Sequence, residues 1–336
     1  MAPTLTEPSW AISDRAAELH RDALVWDDHG GWAYDRADDL EELERWQAAG
    51  CNYLSINAVF DAQRWTSGVE AFSGYRRWIR EHSDEYVQVE TVDDVHRAKS
   101  EGLLAVSFDV EGMNALNGDV GMVDVFYRLG VRHMLFAYNR NNMAGGGCHE
   151  EDTGLTAFGR DVIREMNRVG MVVDCSHTGH RTTMEAMEFS EAPVIFSHSN
   201  ARALCDHERN ITDDQIDACA ATGGVVGVTG VGSFLGEGGT IRRLVDHIDY
   251  MVDRVGVNHV GFGMDSVLDR EQSPTYEEDS RYWPEDIYPP GVDLGFLAPE
   301  ALPRLTQELL DRGYDERDIR AILGENFLRV ATEVWR

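Results

Sequence analysis

Residues 170–210, GMVVDCSHTGHRTTMEAMEFSEAPVIFSHSNARALCDHERN, constrain the fold more than any other stretch of the chain. Two short apolar runs, MVVDCSH (171–177) and PVIFSHS (193–199), each end in Ser-His, and a helix-forming segment separates them. This is the pattern of a βαβ unit that carries an imidazole at the end of both strands. In parallel α/β sheets and barrels the carboxyl ends of the strands form the face that binds ligands and metals. His177 and His198 are therefore expected side by side. Core or cap histidines are the competing reading, but repeated placement at matching strand ends favours metal ligands.

The same alternation extends along the chain. Strand-like runs fall at 24–29, 51–60, 103–112, 131–139, 171–177, 193–199, 224–231 and 259–265, nearly all separated by segments of helical periodicity. Eight such repeats predict an α/β fold, a (β/α)8 TIM-type barrel with its site at the C-terminal ends of the strands. One domain, 1–336, is expected, because a barrel of this length buries a single large core. Helices are predicted over 61–82, 92–101, 121–129, 156–169 and 240–255, and from 211 to about 224 with Thr212 as its N-cap. In the 156–169 helix the apolar face is Phe158, Val162, Ile163 and Met166. The period-two alternation of the first strand places Asp27 and His29 on one face and Asp28 on the other. After Asp265, residues 269–297 are polar with interspersed aromatics, as in a lid or an oligomer contact. Two final helices, 299–313 and 315–335, are expected to pack outside the barrel.

Charge narrows the partners. Thirty basic residues against sixty acidic ones give a formal charge of −30, which disfavours nucleic acid and anionic membranes and favours small cations. Lys99 is the sole lysine, so a Schiff-base mechanism would rest on that residue alone. The five cysteines lack CxxC spacing and are odd in number, as expected of reduced thiols in a cytoplasmic protein. The first residues show no basic start followed by an apolar run, and no stretch reaches the roughly 20 apolar residues of a membrane span. The loop NRNNMAGGGCHEEDTG lacks the GKS or GKT ending of a phosphate cradle and reads as an active-site loop.

At the strand ends stand His29, Glu111, Tyr138 with Asn139, His177, His198 and Asp265. Three imidazoles and a carboxylate suit zinc or a similar divalent ion, and Glu111 could bridge two ions. Such ions activate water for attack on a carbonyl. Asp265, facing that water, could accept its proton and return it to a leaving amine. A salt bridge or a helix N-cap is the other reading of Asp265.

The segments DDHGG, VEGMNAL, GLTAFGRDVIREMNRVGMVVDCSH, VIFSHSNARAL, HERN, HVGFGMD and LGENFLRV together resemble the membrane (renal) dipeptidase family of metallopeptidases, within the amidohydrolase-like barrels. The resemblance implies a zinc-dependent dipeptidase that uses metal-activated water and tolerates a D-residue on the carboxyl side of the substrate. It implies His29, Glu111, His177 and His198 as ligands of one or two Zn2+ ions. By it His29 shares the first metal with the bridging Glu111, while His177 and His198 hold the second. It also implies Asp265 as the catalytic acid/base, Arg209 as the partner of the substrate's terminal carboxylate, and a homodimer. Tyr138 and Asn139 are expected to contact substrate.

Two positions depart from the family pattern. Gly31 stands where a second aspartate usually ligates, so the first site is expected to be weaker, completed by water or by Asp27, Asp28 or Asp35, or else empty under ordinary conditions. Tyr138 replaces a histidine that contacts the developing oxyanion, a role a phenolic hydroxyl can also fill. A core aromatic is the equal alternative. The departures leave a second function open, a metal-dependent amidohydrolase or decarboxylase acting on a specialised metabolite. A degenerate barrel serving as a binding protein is the third reading.

Overall fold

The computed structural model describes residues 12–31, 39–236, 238–267, 281–289 and 294–336. Asp35 and much of the 269–297 stretch lie outside them. The first strand, β1 (Trp26–Gly31), pairs in parallel with β2 (Tyr53–Phe60), and β2 pairs with β4 (Leu104–Glu111). Both longer strands are buried along almost their whole length, as expected where helices cover one face of a parallel sheet and a filled interior the other. Beyond β4 come β5 (Val131–Leu135), β6 (Val172–Asp174) and β7 (Val194–Ile195), all parallel.

The sheet then curls into a closed ring. A parallel bridge from Phe196 to Val226 joins β7 to β8 (Val226–Val228), which pairs with β9 (Val260–Phe262). Closure onto β1 comes from the Asp265 amide, which donates to His29 O at 2.9 Å, and from β10 (Ser266–Val267), which pairs with Gly30 and Gly31. The eight expected barrel strands are thus present in order, and the fold is the α/β barrel.

Several boundaries differ from expectation. The fourth strand stops at Leu135 rather than 139, so Tyr138 and Asn139 lie on the loop after it. The seventh spans only 226–228, and Gly232–Leu235 after it is a short helix. A three-residue strand, β3 (Tyr86–Gln88), went unrecognised. It pairs with Leu104–Val106 of β4, while β5 takes the upper half of the same edge from Phe108 to Glu111. Three residues are too few for periodicity to register.

Helices cover the ring as their apolar faces require. Val162, Ile163 and Met166 of the Ala157–Val169 helix are buried, and Phe158 packs against the same core. Thr212 caps the Asp213–Ala221 helix reciprocally with Gln215. Of the two C-terminal helices, Leu302–Asp311 packs on Asp14–Asp22, where His20 Nδ1 meets Thr306 Oγ1 at 2.7 Å. The other is interrupted at Ala321–Glu325, where a Cβ on Gly324 would lie 2.5 Å from Leu24 O. That close approach lets the segment press against the start of β1, and Phe327 stacks on Trp26.

Candidate active site

The carboxyl ends of β1 and β4, with the turns after β6 and β7, bring four side chains together. Glu111 Oε1 lies 3.6 Å from His29 Nε2, 3.3 Å from His177 Nε2 and 3.4 Å from His198 Nε2. The Nε2 atoms of His177 and His198 are 3.0 Å apart, and the His29 and His198 rings stack at 3.9 Å. His198 thus sits between the other two imidazoles. All four residues are buried, His198 fully. Asp265 Oδ1 stands 3.6 Å from His29 Nε2 at the edge of the group.

Hydrogen bonds behind the rings decide which nitrogen each presents. The Asn139 amide donates through Nδ2 to Tyr282 O, so its Oδ1 accepts from His177 Nδ1 at 2.6 Å. Ser197 Oγ donates to Asp174 Oδ2 at 2.5 Å and therefore accepts from His198 Nδ1 at 2.6 Å. His29 Nδ1 donates to Asp109 Oδ2 at 3.2 Å. With every Nδ1 a donor, each neutral ring turns an Nε2 lone pair toward Glu111. Lone pairs that converge on a carboxylate oxygen repel unless a cation lies among them. Tetrahedral ligands about 2.0–2.1 Å from zinc are roughly 3.3 Å apart, close to the spacings here. The donor set therefore fits a divalent ion, and the ligand atoms of His29, Glu111 and His198 all lie within 4.8 Å of one another.

Electrostatics favour positive charge at this point. Burial pushes the Glu111 carboxyl up to about 8, against the opposing pull of His29. Burial also holds His177 and His198 well below the usual histidine range, aided by the neighbouring Arg209 and His29 cations. For His29, burial acts the same way, but Asp109, Glu111 and Asp265 outweigh it and hold the ring well above that range. In such a pocket a proton or a metal ion can supply the missing charge.

Backbone strain is concentrated at the same place. Among the described non-glycine residues only Asn117, Asn139, His177 and Asp265 have positive φ, and the last three are site residues with φ of 61°, 58° and 54°. A left-handed turn just past a strand costs about 1–3 kcal/mol, and here it aims each side chain across the mouth instead of along the strand.

Arg209 is buried, with Nη1 donating to Ser199 Oγ at 3.1 Å and Nη2 to His198 O at 2.9 Å. Its Nε is buried without a hydrogen-bond partner, so part of the guanidinium's donor set remains for an anion. The Tyr138 ring lies over His177 with centroids 4.2 Å apart.

Beneath the four donors lies a layer that sequence reading missed. His133 Nδ1 is 3.2 Å from Asp174 Oδ2, and its Nε2 is 3.8 Å from Asp109 Oδ2. Burial lowers the His133 pKa, but Asp174 and Asp28 more than reverse this and hold it at about 9. Asp174 is drawn down to about 2: burial opposes ionisation, and His133 with the Ser176 and Ser197 donors overcomes it. A buried imidazolium thus joins the two carboxylates that back His29 and His198. Part of the signal was available, since Asp109 lies two residues before Glu111 on one strand face, but the pairing of His133 with Asp109 comes from strand register.

One expectation about β1 is corrected. Asp27 does not share the interior with His29; it accepts from Trp46 Nε1 at 2.8 Å and from the Met264 amide at 2.8 Å. Asp28 instead lies among the interior charges of His133, Asp174 and Asp109. The β1–β2 register shifts between Asp27 and Gly30, and such an irregularity reverses side-chain alternation. Gly31 faces Val267: a Cβ there would lie 2.6 Å from Val267 Cγ2 and 3.5 Å from Asp265 Oδ1.

A parallel barrel with histidines and a carboxylate converging at its C-terminal mouth has the makings of a metal site. The sequence matches the membrane dipeptidase family (peptidase family M19) over residues 47–282 and 290–336, and the chain belongs to that family. It is 31% identical over 265 residues to the dipeptidase tcpJ of Claviceps purpurea, covering 77% of this chain and 58% of that protein. Identity to the dipeptidase verJ of Clonostachys rogersoniana is 31% over 287 residues, covering 84% and 68%. The chain thus matches only 58% of the first relative's length. A crystal structure of an amidohydrolase from Pseudomonas aeruginosa superposes with a TM-score of 0.86 at 31% identity, covering 95% of this chain and 99% of that one. Among the described residues no helix is long and apolar enough to cross a membrane.

Proposed function

We propose that this protein is a zinc-dependent dipeptidase acting on dipeptides with a free terminal carboxylate, including those with a D-residue on the carboxyl side. The observation that carries the reading is the convergence of three imidazole Nε2 atoms on Glu111 Oε1, with Asp265 on one side and the buried Arg209 guanidinium nearby. His29, Glu111, His177 and His198 would hold the metal, which when bound supplies Lewis-acid polarisation of the scissile carbonyl and a water acidified for attack.

The chain's own groups do the rest. Arg209 takes the terminal carboxylate through its remaining N–H donors and so fixes the register of the substrate. Asp265, held by its left-handed backbone toward His29, accepts the proton of the attacking water and delivers it to the departing amine nitrogen. Tyr138 donates from its hydroxyl to the carbonyl oxygen as charge develops there, with its ring fixed by stacking on His177. Asn139 and Ser197 keep His177 and His198 in the ligating tautomer. A reducing, cytoplasmic setting agrees with the five cysteines, all free thiols.

The test is a panel of L,L- and L,D-dipeptides assayed after chelator treatment and reloading with zinc, cobalt or manganese. Turnover restored best by zinc is expected, with Asp265→Asn losing it while retaining metal. Full metal binding without hydrolysis of any dipeptide would overturn the proposal.

A further inference from the structure

Beside Arg209 lies a polar cluster that none of the roles above uses. His149 stands on the loop after β5, its side chain only 1% exposed, and both of its ring nitrogens are engaged. Nδ1 lies 3.3 Å from Glu208 Oε2, and Nε2 lies 2.9 Å from Tyr288 Oη. One imidazole thus joins three segments: its own loop, the loop after β7 that carries Arg209, and residues 281–289.

The direction of both bonds follows from the partners. A carboxylate only accepts, so Nδ1 carries a proton and donates to Glu208. Burial, aided by His207 and Arg209, pushes the His149 ring down to about 3, so the ring is neutral near neutral pH and its Nε2 is an acceptor. Tyr288 therefore donates to it. Burial holds that phenol well above its ordinary range and keeps it protonated. Truncating His149 leaves the Glu208 carboxylate and the Tyr288 hydroxyl without this link.

The cluster spans from the metal-binding donors to Arg209. At its base, His149 N donates to Asn139 O at 2.8 Å and Cys148 N donates to His177 O at 3.0 Å. At its far end Glu208 adjoins Arg209 in the chain, and the Arg209 amide donates to His207 Nδ1 at 3.1 Å. The His207 ring lies 5.7 Å from Tyr288 and 4.7 Å from Phe234, and the Arg209 guanidinium sits 5.8 Å from that same Phe234 ring. Ser199 and His198 hold the head of the arginine, while this cluster holds its backbone. Displacement of such an anchor by even 1 Å is enough to misplace what it binds.

We propose that His149 is a positioning residue for the substrate's terminal carboxylate: by joining Glu208 to Tyr288 it holds the Arg209 loop in register with the histidines. The inference rests on the dipeptidase reading and adds to it the residue that sets where the anionic end of the substrate is held. Arg209 grips that end before and during reaction alike, so a misplaced loop raises KM more than it lowers kcat.

The test measures Ala-Ala hydrolysis by the zinc-loaded protein and its His149→Ala, His149→Gln and Glu208→Ala variants, with zinc affinity read by chelator competition. Glutamine can donate to Glu208 through Nε2 and accept from Tyr288 at Oε1. His149→Ala is expected to raise KM about tenfold with kcat within about twofold of wild type and zinc affinity unchanged. His149→Gln should restore most of that KM. Glu208 is half-exposed, so Glu208→Ala cuts the same link without opening the core and should raise KM in the same direction. An unchanged KM in Glu208→Ala, equal KM values for the two His149 variants, or a fall in zinc affinity or in kcat alone would overturn the positioning role while leaving dipeptide hydrolysis intact. Absence of dipeptide turnover by the wild type would overturn the dipeptidase reading and this role with it.

Discussion

The two sides of the site are backed by different chemistry. His177 and His198 donate their Nδ1 protons to neutral oxygens, those of Asn139 and Ser197, and burial keeps both rings neutral. His29 donates instead to the Asp109 carboxylate, with Glu111 and Asp265 on its other side, and holds a proton strongly. An ion approaching the His177/His198 side meets ready lone pairs, whereas one approaching His29 first displaces a proton. The His29 side also has Gly31, which adds no ligand. Affinity in a histidine site is thus set as much by what lies behind each ring as by the ring itself.

His133 belongs to both sides, so its removal should have the largest effect. His133→Leu leaves Asp109 and Asp174 buried without their shared cation, and stability should fall by about 3–5 kcal/mol. Urea denaturation of the metal-free protein measures this. A loss under about 1 kcal/mol would mean that the two halves are supported independently.

Next in size is the separation of the two sides through their supports. Ser197→Ala removes the acceptor that fixes the His198 tautomer, and metal affinity should fall about 10–100-fold. Competition with a chromophoric chelator reads the change. Asp109→Asn keeps an acceptor for His29 Nδ1 but removes its charge, so the loss should be smaller and confined to metal held on the His29 side. Equal losses from both changes, or two ions of equal affinity in the wild type, would erase the asymmetry.

Gly31 offers a way to reverse the asymmetry. Gly31→Asp alone drives a Cβ to within 2.6 Å of the stiff, β-branched Val267, and should destabilise the protein by about 1–3 kcal/mol. Adding Val267→Ala should recover most of that loss and let the new carboxylate tighten the His29 side. Calorimetric zinc titration of the double variant then shows a stronger first site. No gain there, with stability recovered, would mean that Gly31 does not limit binding.

How much of this was legible in the sequence depends on the distance over which each signal acts. His29, Glu111, His177, His198 and Asp265 stand at or just past strand ends, and a barrel brings such ends together whatever the details. Their convergence therefore followed from topology. Asp109, His133 and Asp174 sit one layer deeper, where significance comes from register between neighbouring strands, and register is a tertiary property. The reversal of Asp27 and Asp28 came from a one-residue irregularity in β1 that no alternation rule anticipates. Asn139 was singled out for substrate contact, yet its amide is engaged by His177 and Tyr282. A left-handed backbone past the end of β5 turns it there.

The smallest effect is a background that must be separated from the site before its two sides can be compared at low pH. His247 is fully buried, accepting from the Ala201 amide at 3.1 Å and lying 3.2 Å from Leu235 O. Burial lowers its pKa to about 4. The unfolded chain takes up this proton below about 6.5 and the folded protein only near 4, so stability is intact above 6.5 and lost as pH falls through that window. The expected slope is about 1.4 kcal/mol per pH unit for this one group. Acid also protonates the site imidazoles, so any metal release on acidification would combine ligand competition with this destabilisation. Measuring urea stability of the metal-free protein from pH 7 to 4.5, for wild type and His247→Gln, isolates the second contribution. The variant should be less stable at pH 7 but show a flatter pH dependence. An unchanged slope would assign the acid sensitivity elsewhere, to His207, similarly held down to about 4 by burial, or to the site itself.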